Sequence, residues 1–308
     1  MSDQITIRSD QLRATFSRNG ARLETLHLGG GPSLVLHADA DEHTEWRDCY
    51  AGAIVGPIAN RVRGGTFDLD GRRHQMPRNE NGVTALHSGP YGIDRQDWEV
   101  SQLQDGNVAF WIELADGDGG LPGARRIEVA YTIEGATLRL EIKMTTDRST
   151  PAAFAHHPYW CLGDASAHIL QVNANYYLPT DGQNLPTGER ALVANTSFDH
   201  RIAAAPDPAI DHNFCISNTP VETAQPVATL RGANGLRLQI DSTEPGLQVY
   251  AGAFLPTLPG TGISPGAGLA LEPQGWPDSV NHPNFPSVLC TPEQPYRQVT
   301  LYQLNTVT

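Results

Sequence analysis

The residues of this chain that could move protons are spread thinly, one or two per motif. Glu272 stands in Leu269-Ala270-Leu271-Glu272-Pro273-Gln274-Gly275-Trp276-Pro277-Asp278, an apolar lead into a carboxylate followed by two prolines. A glutamate among apolar neighbours loses hydration, which raises its pKa toward the range where it exchanges protons near neutrality. The prolines lack a ladder donor, so a strand is expected to end here with Glu272 at its mouth and Trp276 offering a flat face to a ring-shaped ligand. A second proton carrier lies in Phe154-Ala155-His156-His157-Pro158-Tyr159-Trp160. Adjacent residues of a strand face opposite sides, so only one of the two histidines can face a given pocket. Histidine is the group that gives or takes a proton near neutral pH. Four further motifs carry polar groups without an obvious partner. Asn60-Arg61 ends the apolar run from Gly52, His87 precedes Ser88-Gly89-Pro90, Asp211 opens Asp-His-Asn-Phe, and Gln248 sits in an alternating Gly-Leu-Gln-Val-Tyr.

An arginine fork donates to paired hydroxyls or a carboxylate. A buried glutamine needs hydrogen-bond partners. Tyr159, Trp160, Tyr250 and Trp276 stand beside the polar groups. Aromatic faces for C–H surfaces and polar side chains for hydroxyls suit a neutral polyhydroxylated small molecule. Adjacent His-His is poor spacing for zinc, which favours short-spaced pairs, so no metal is expected. The chain has no phosphate loop, basic cluster or Gly-x-Ser-x-Gly elbow.

These side chains need a scaffold, and the sequence describes one. Short segments alternate at period two and are bounded by turn residues. Ile5 to Ile7, Leu12 to Phe16 and Ala21 to Leu28 alternate in this way, and Ser33 to Leu36 is a short apolar run. Asp70-Gly71 follows a strand and predicts a tight hairpin. Hairpins are also expected at Asp105-Gly106, Glu134-Gly135 and Asn234-Gly235. Ile169 to Leu178, Gln248 to Leu255 and Val299 to Leu304 read as further strands. No twelve-residue window holds a 3.6 period free of Pro and Gly, and no low-complexity linker divides the 308 residues. The pattern predicts an all-β fold, a large antiparallel β-sandwich in one domain over 1–308.

Composition narrows the partners. A formal net charge of −13 excludes a nucleic acid or an anionic membrane as the main partner. The first ten residues lack a basic n-region, and no apolar run approaches the roughly 18 residues of a span. Cys49, Cys161, Cys215 and Cys290 are far apart, as expected of free thiols in the cytoplasm.

The motifs together, in their order, resemble the aldose 1-epimerases, or galactose mutarotases. Gly-x-x-x-Gly-x-x-Ala-Asn-Arg, Leu-His-x-Gly, His-x-Tyr, Leu-Pro-Thr-Gly-Glu at 185–189, Asp-His-Asn-Phe, Pro-Gly-x-Gln-x-Tyr and Leu-Glu-x-Gln-x-x-Pro-Asp-x-x-Asn run from about residue 50 to the C-terminus. The resemblance implies a β-sandwich of the galactose mutarotase type and no cofactor. It implies a monosaccharide substrate and a monomer or homodimer. It places the catalytic glutamate on Glu272 and the catalytic histidine on His157. Sugar-binding roles fall on Arg61, His87 and Asp211, with Gln248 as a substrate contact in some members and Asn60 as the asparagine before the arginine. Pro57, His156, Cys161 and Ala253 depart from common family residues, and such departures bear on which sugar is used more than on the acid and base. Two other readings keep the same fold: a sugar 6-phosphate epimerase, which would want basic residues for a dianion, and a non-catalytic sugar-binding module.

Overall fold

Strand side chains alternate between faces, so each alternating segment can bury one row and leave the other for water or for a site. A computed structural model describes residues 4–39 and 42–306. Residues 1–3, the start of the stretch read for a leader, lie outside the described residues. Two antiparallel sheets dominate. The larger has eight strands in the order Ile169–Val172, Gln225–Arg231, Leu236–Ser242, Tyr296–Thr306, Thr137–Thr146, Arg125–Glu134, Asn107–Leu114 and Glu99–Gln104. The smaller has six, in the order Tyr159–Trp160, Leu269–Gln274, Gly246–Tyr250, Asp211–Cys215, Tyr176–Tyr177 and Ala191–Leu192. Ile5–Arg8, Leu12–Ser17 and Arg22–Leu28 form a separate meander.

The core lies between these layers. Phe110, Val129, Tyr131, Leu140, Ile142 and Ile240 of the larger sheet meet Trp160, Phe214, Leu247, Val249, Leu269 and Leu271 of the smaller. The molecule is a large antiparallel β-sandwich. Among the described residues the helical segments are short 3-10 turns, and no helix is long and apolar enough to cross a membrane.

The hairpins fall where the turn residues put them. Asp70 and Gly71 join Thr66–Leu69 to Arg72–Gln75 with φ of 51° and 72°, the paired left-handed conformation of a two-residue turn. Three expectations fail. Gln248 to Leu255 is not one strand: the strand is Gly246–Tyr250, and 251–255 leave the sheet. Ile169 to Leu178 is not one strand: Ile169–Val172 belongs to the larger sheet and Tyr176–Tyr177 to the smaller. The asparagines between them carry the chain from one layer to the other. Nor does a strand end at Glu272, which lies inside Leu269–Gln274. The neighbouring Tyr159–Trp160 pairs only with Ala270 and Leu269. Beyond Ala270 no further strand among the described residues pairs along that edge, which tolerates the missing N–H of Pro273.

Candidate active site

The same alternation that builds the core builds the site. In the smaller sheet Leu269, Leu271, Leu247, Val249 and Phe214 face the larger sheet. The intervening residues face the other way. Glu272 pairs with Gln248, Gln248 with Asn213, and Tyr250 with Asp211. Tyr159 pairs with Ala270, and His157 lies two residues before it, level with Glu272. His157 Nε2 is 3.5 Å from Glu272 Oε1, and Gln248 Nε2 donates to Asp211 Oδ1 at 2.6 Å. Four polar side chains from four chain segments thus share one face. His156 points the opposite way, as alternation requires. Its Nδ1 lies 3.1 Å from the Tyr302 hydroxyl inside the core.

The opposite wall comes from the segments around Arg61–Arg63 and Thr84–Leu86, which pair with each other. Asn60 and His87 flank this ladder in left-handed conformations, φ 61° and 51°. Such non-glycine positions cost energy and mark places where surrounding structure dictates the backbone. The Asn60 N–H donates to His87 Nδ1 at 3.1 Å, and the His87 N–H donates to the Asn60 carbonyl at 3.0 Å. The Asn60 side chain accepts from the Arg61 N–H at 2.8 Å. Arg61 is gripped from behind by Glu80, at 2.8 Å through one terminal nitrogen and 2.9 Å through Nε. Thr84 Oγ1 donates to Glu80 at 2.5 Å. The other terminal nitrogen of Arg61 stands 3.7 Å from Asp211 Oδ2. All seven residues picked from the sequence, Glu272, His157, Arg61, His87, Asp211, Gln248 and Asn60, line one cavity of about 320 Å³. Tyr50, Tyr159, Tyr250 and Phe254 supply its aromatic surface. Phe254 is 84% exposed at the rim, with its N–H held by the Tyr250 hydroxyl.

Burial dominates the electrostatics. Glu272 is 2% exposed and its carboxyl is held well above the usual carboxylate range, first by burial and then by Asp211, with Arg61 opposing. Burial pushes the His157 imidazole down to about 4, and holds His87 well below its ordinary value with help from His157 and Arg61. Glu272 Oε2 and His157 Nδ1 are buried without a partner. A glutamate above its ordinary value beside a histidine below it reverses the order found in water. A proton shared by the pair is therefore favoured on the Glu272 carboxyl over the His157 ring.

One atom each from His87, His157 and Glu272 lies within 4.8 Å of the others, a convergence invisible in sequence spacing. The set does not suit a metal. A backbone N–H is always a donor, so His87 Nδ1 must be the acceptor and its Nε2 carries the proton. A protonated Nε2 has no lone pair for a cation and is instead a fixed donor toward the cavity.

Trp276 does not offer a face to a ligand. It is 3% exposed, donates from Nε1 to the Pro245 carbonyl and packs against Phe285, away from the cavity. Trp160 likewise belongs to the core, against Tyr302. Of the four departures, Pro57, His156 and Cys161 are absent from the cavity lining, and Ala253 adjoins it through Phe254. Glu80 and Tyr50 were missed in the sequence. Glu80 falls in Asn79-Glu80-Asn81-Gly82, which reads only as a turn and carries no signal that it meets Arg61.

Known proteins resemble this chain along nearly its whole length. The sequence model described as aldose 1-epimerase matches residues 3–303. A galactose mutarotase of Bos taurus is 33% identical over 98% of this chain and 94% of its own length. An aldose 1-epimerase of Escherichia coli strain K12 is 32% identical over 89% and 86%. The crystal structure of an aldose epimerase homologue from C. elegans superposes with a TM-score of 0.91 at 28% identity, covering 100% of both chains. That of a galactose 1-epimerase from Lactobacillus acidophilus NCFM gives 0.86 at 25%, covering 99% and 95%. With a full-length match of this kind and a site of this composition, the chain belongs to the aldose 1-epimerase family.

Proposed function

We propose that this protein interconverts the α and β anomers of a neutral free aldose by opening and closing its ring. The observation that carries the reading is the contact of Glu272 with His157 on the wall of a cavity also lined by Arg61, His87, Asp211 and Gln248. Opening the ring takes a proton from O1 and delivers one to the ring oxygen. Two proton carriers within reach of the same C1–O5 unit do this together, each contributing roughly 10²–10⁴-fold.

In this reading the sugar inserts where Glu272 and His157 now touch. Glu272 Oε2 lacks a donor. The O1 hydroxyl supplies one, which stabilises the carboxylate and moves the shared proton to His157. Glu272 then takes the O1 proton while His157 protonates the ring oxygen. The carbonyl rotates and the steps reverse, so the pair ends with the one proton it began with. Arg61, the Nε2–H of His87, Asp211 and Gln248 hold the remaining hydroxyls, and Asn60 positions Arg61 and His87. No cofactor enters the reaction.

The sugar 6-phosphate alternative meets the wrong charge. Asp48, Glu80 and Asp211 line the cavity against the single cation Arg61, which Glu80 already engages, and a phosphate dianion would be repelled. Relatives named for galactose make that sugar the first to try. A single-domain chain over 1–308, monomeric or a homodimer, in the cytoplasm is part of the same proposal, and its four free cysteines support a reducing compartment. Polarimetry of freshly dissolved α-anomers of galactose, glucose, arabinose, xylose and fucose tests the reading. Acceleration of at least one toward its equilibrium rotation is expected. Tight sugar binding with no acceleration would leave only a binding module.

A further inference from the structure

A second cavity, of about 680 Å³, opens elsewhere on the sandwich and shares no lining residue with the first. Its lining is mixed: Pro220, Val221, Val288 and Leu289 stand beside Thr223, Ser287 and Gln294. Glu244 also lines it, only 1% exposed. The Tyr296 hydroxyl lies 3.1 Å from Glu244 Oε1 and 2.9 Å from Gln298 Oε1, one proton between two acceptors. Among the described residues the side-chain donor on Glu244 is the Tyr296 hydroxyl, at Oε1. Arg297, the one cation of the lining, is engaged with Glu141 at 2.8 Å. Glu222 on the lining is exposed. The mechanism proposed above uses none of these groups.

We propose that this cavity is a binding site for an organic ammonium ion with a hydrocarbon body, whose charged head pairs with the Glu244 carboxylate. The argument is one of unmet demand. Glu244 is buried with one neutral hydroxyl as its side-chain donor, and a carboxylate so placed needs a cationic partner to hold its charge. The Pro220, Val221, Val288 and Leu289 part of the wall suits a hydrocarbon body. Burial raises the Glu244 acid to about 8, so the empty site holds its proton at pH 7. The Tyr296 hydroxyl then donates to Gln298 and accepts from Glu244. When the ammonium ion enters, Glu244 gives its proton to solvent and the Tyr296 O–H turns to the new carboxylate. Charge balances: one cation enters and one proton leaves.

The test is calorimetry of the full chain at pH 7 with cyclohexylammonium, and with neutral cyclohexanol as the matched probe, in two buffers of different ionisation heat. Saturable binding of the cation alone is expected, with release of about one proton per site. Glu244→Gln, which cannot ionise, should weaken the cation by at least about tenfold. Its mutarotation rate should equal that of the unsubstituted protein. Should that variant not fold, Val221→Trp fills the cavity from a wall and must abolish binding. The proposal is overturned if cyclohexanol binds as well as the cation, if no proton is released, if either folded variant binds unchanged, or if neither probe binds.

Discussion

Replacing Glu80 by alanine should raise the KM for sugar about tenfold and leave kcat nearly unchanged. Glu80 does not touch the reacting atoms in the reading above. It holds Arg61 by a two-point contact of 2.8 and 2.9 Å, with Thr84 fixing the carboxylate in turn. Burial raises the Glu80 pKa, but hydrogen bonds from Arg61 and Thr84 outweigh it, so the carboxylate is charged through the neutral range. Without it, Arg61 has one anionic neighbour left, Asp211 at 3.7 Å. With Asp211 still held by Gln248, the Arg61 side can then close that gap toward the 2.8 Å of the present Arg61–Glu80 contact. At the effective dielectric of about 20 that suits pairs near a surface, closure gains about 1.4 kcal/mol. A sugar that needs both groups must undo this, which corresponds to about tenfold in KM. Glu80→Gln keeps one acceptor and should fall between. Polarimetric kcat and KM, with melting temperatures as a control for folding, decide it. An unchanged KM in a variant as stable as the parent, or a loss confined to kcat, would refute the idea that Glu80 keeps Arg61 and Asp211 apart.

Glu272→Gln should lower kcat by roughly 10²–10⁴-fold with KM within about tenfold, and His157→Asn should do the same. The double variant should be little worse than either, because one relay is broken only once; additive losses would show two independent contributions. The pH profile of kcat/KM should be bell-shaped with limbs reversed from the order in water. His157 is lowered to about 4, so activity falls as pH drops through that region and the pair takes a second proton. Glu272 is raised, so the high limb is the loss of the single proton from the carboxyl; a high limb that persists in a folded Glu272→Gln variant would contradict this. Calorimetric unfolding should give one cooperative transition, since the core draws on strands from Ile5 to Leu304; two separated transitions would divide the chain into domains.

Much of this was legible because period-two alternation sorts residues by face. It marks Leu138, Leu140 and Ile142 as core and places Asp211, Gln248 and Glu272 on the rows opposite their apolar neighbours. It also separates His156 from His157, although it does not say which of them meets the cavity. That depended on the pairing of Tyr159 with Ala270, a contact more than a hundred residues long. Trp276 was misjudged for a related reason. An aromatic beside prolines and a catalytic-looking glutamate reads as a ligand platform, yet its indole N–H is spent on the Pro245 carbonyl in the interior.

What the sequence withheld is the second layer of contacts, and the reason is physical. A side chain that meets a hydroxylated ligand is constrained by chemistry, so its type betrays it: arginine, histidine, carboxylate. A side chain that positions another needs only to reach it. Glu80 satisfies Arg61 from within a turn whose composition serves the backbone, so nothing local distinguishes it from a solvated glutamate. The same holds for the Asn60 N–H, which sets the tautomer of His87 through the backbone, where side-chain identity leaves no mark. Yet that backbone donor decides the chemistry available at the neighbouring cluster. With Nδ1 as the acceptor, His87 can only donate from Nε2. A group of two histidines and one glutamate, which on distance alone could pass for a metal centre, thereby becomes one donor beside a pair that shares a single proton.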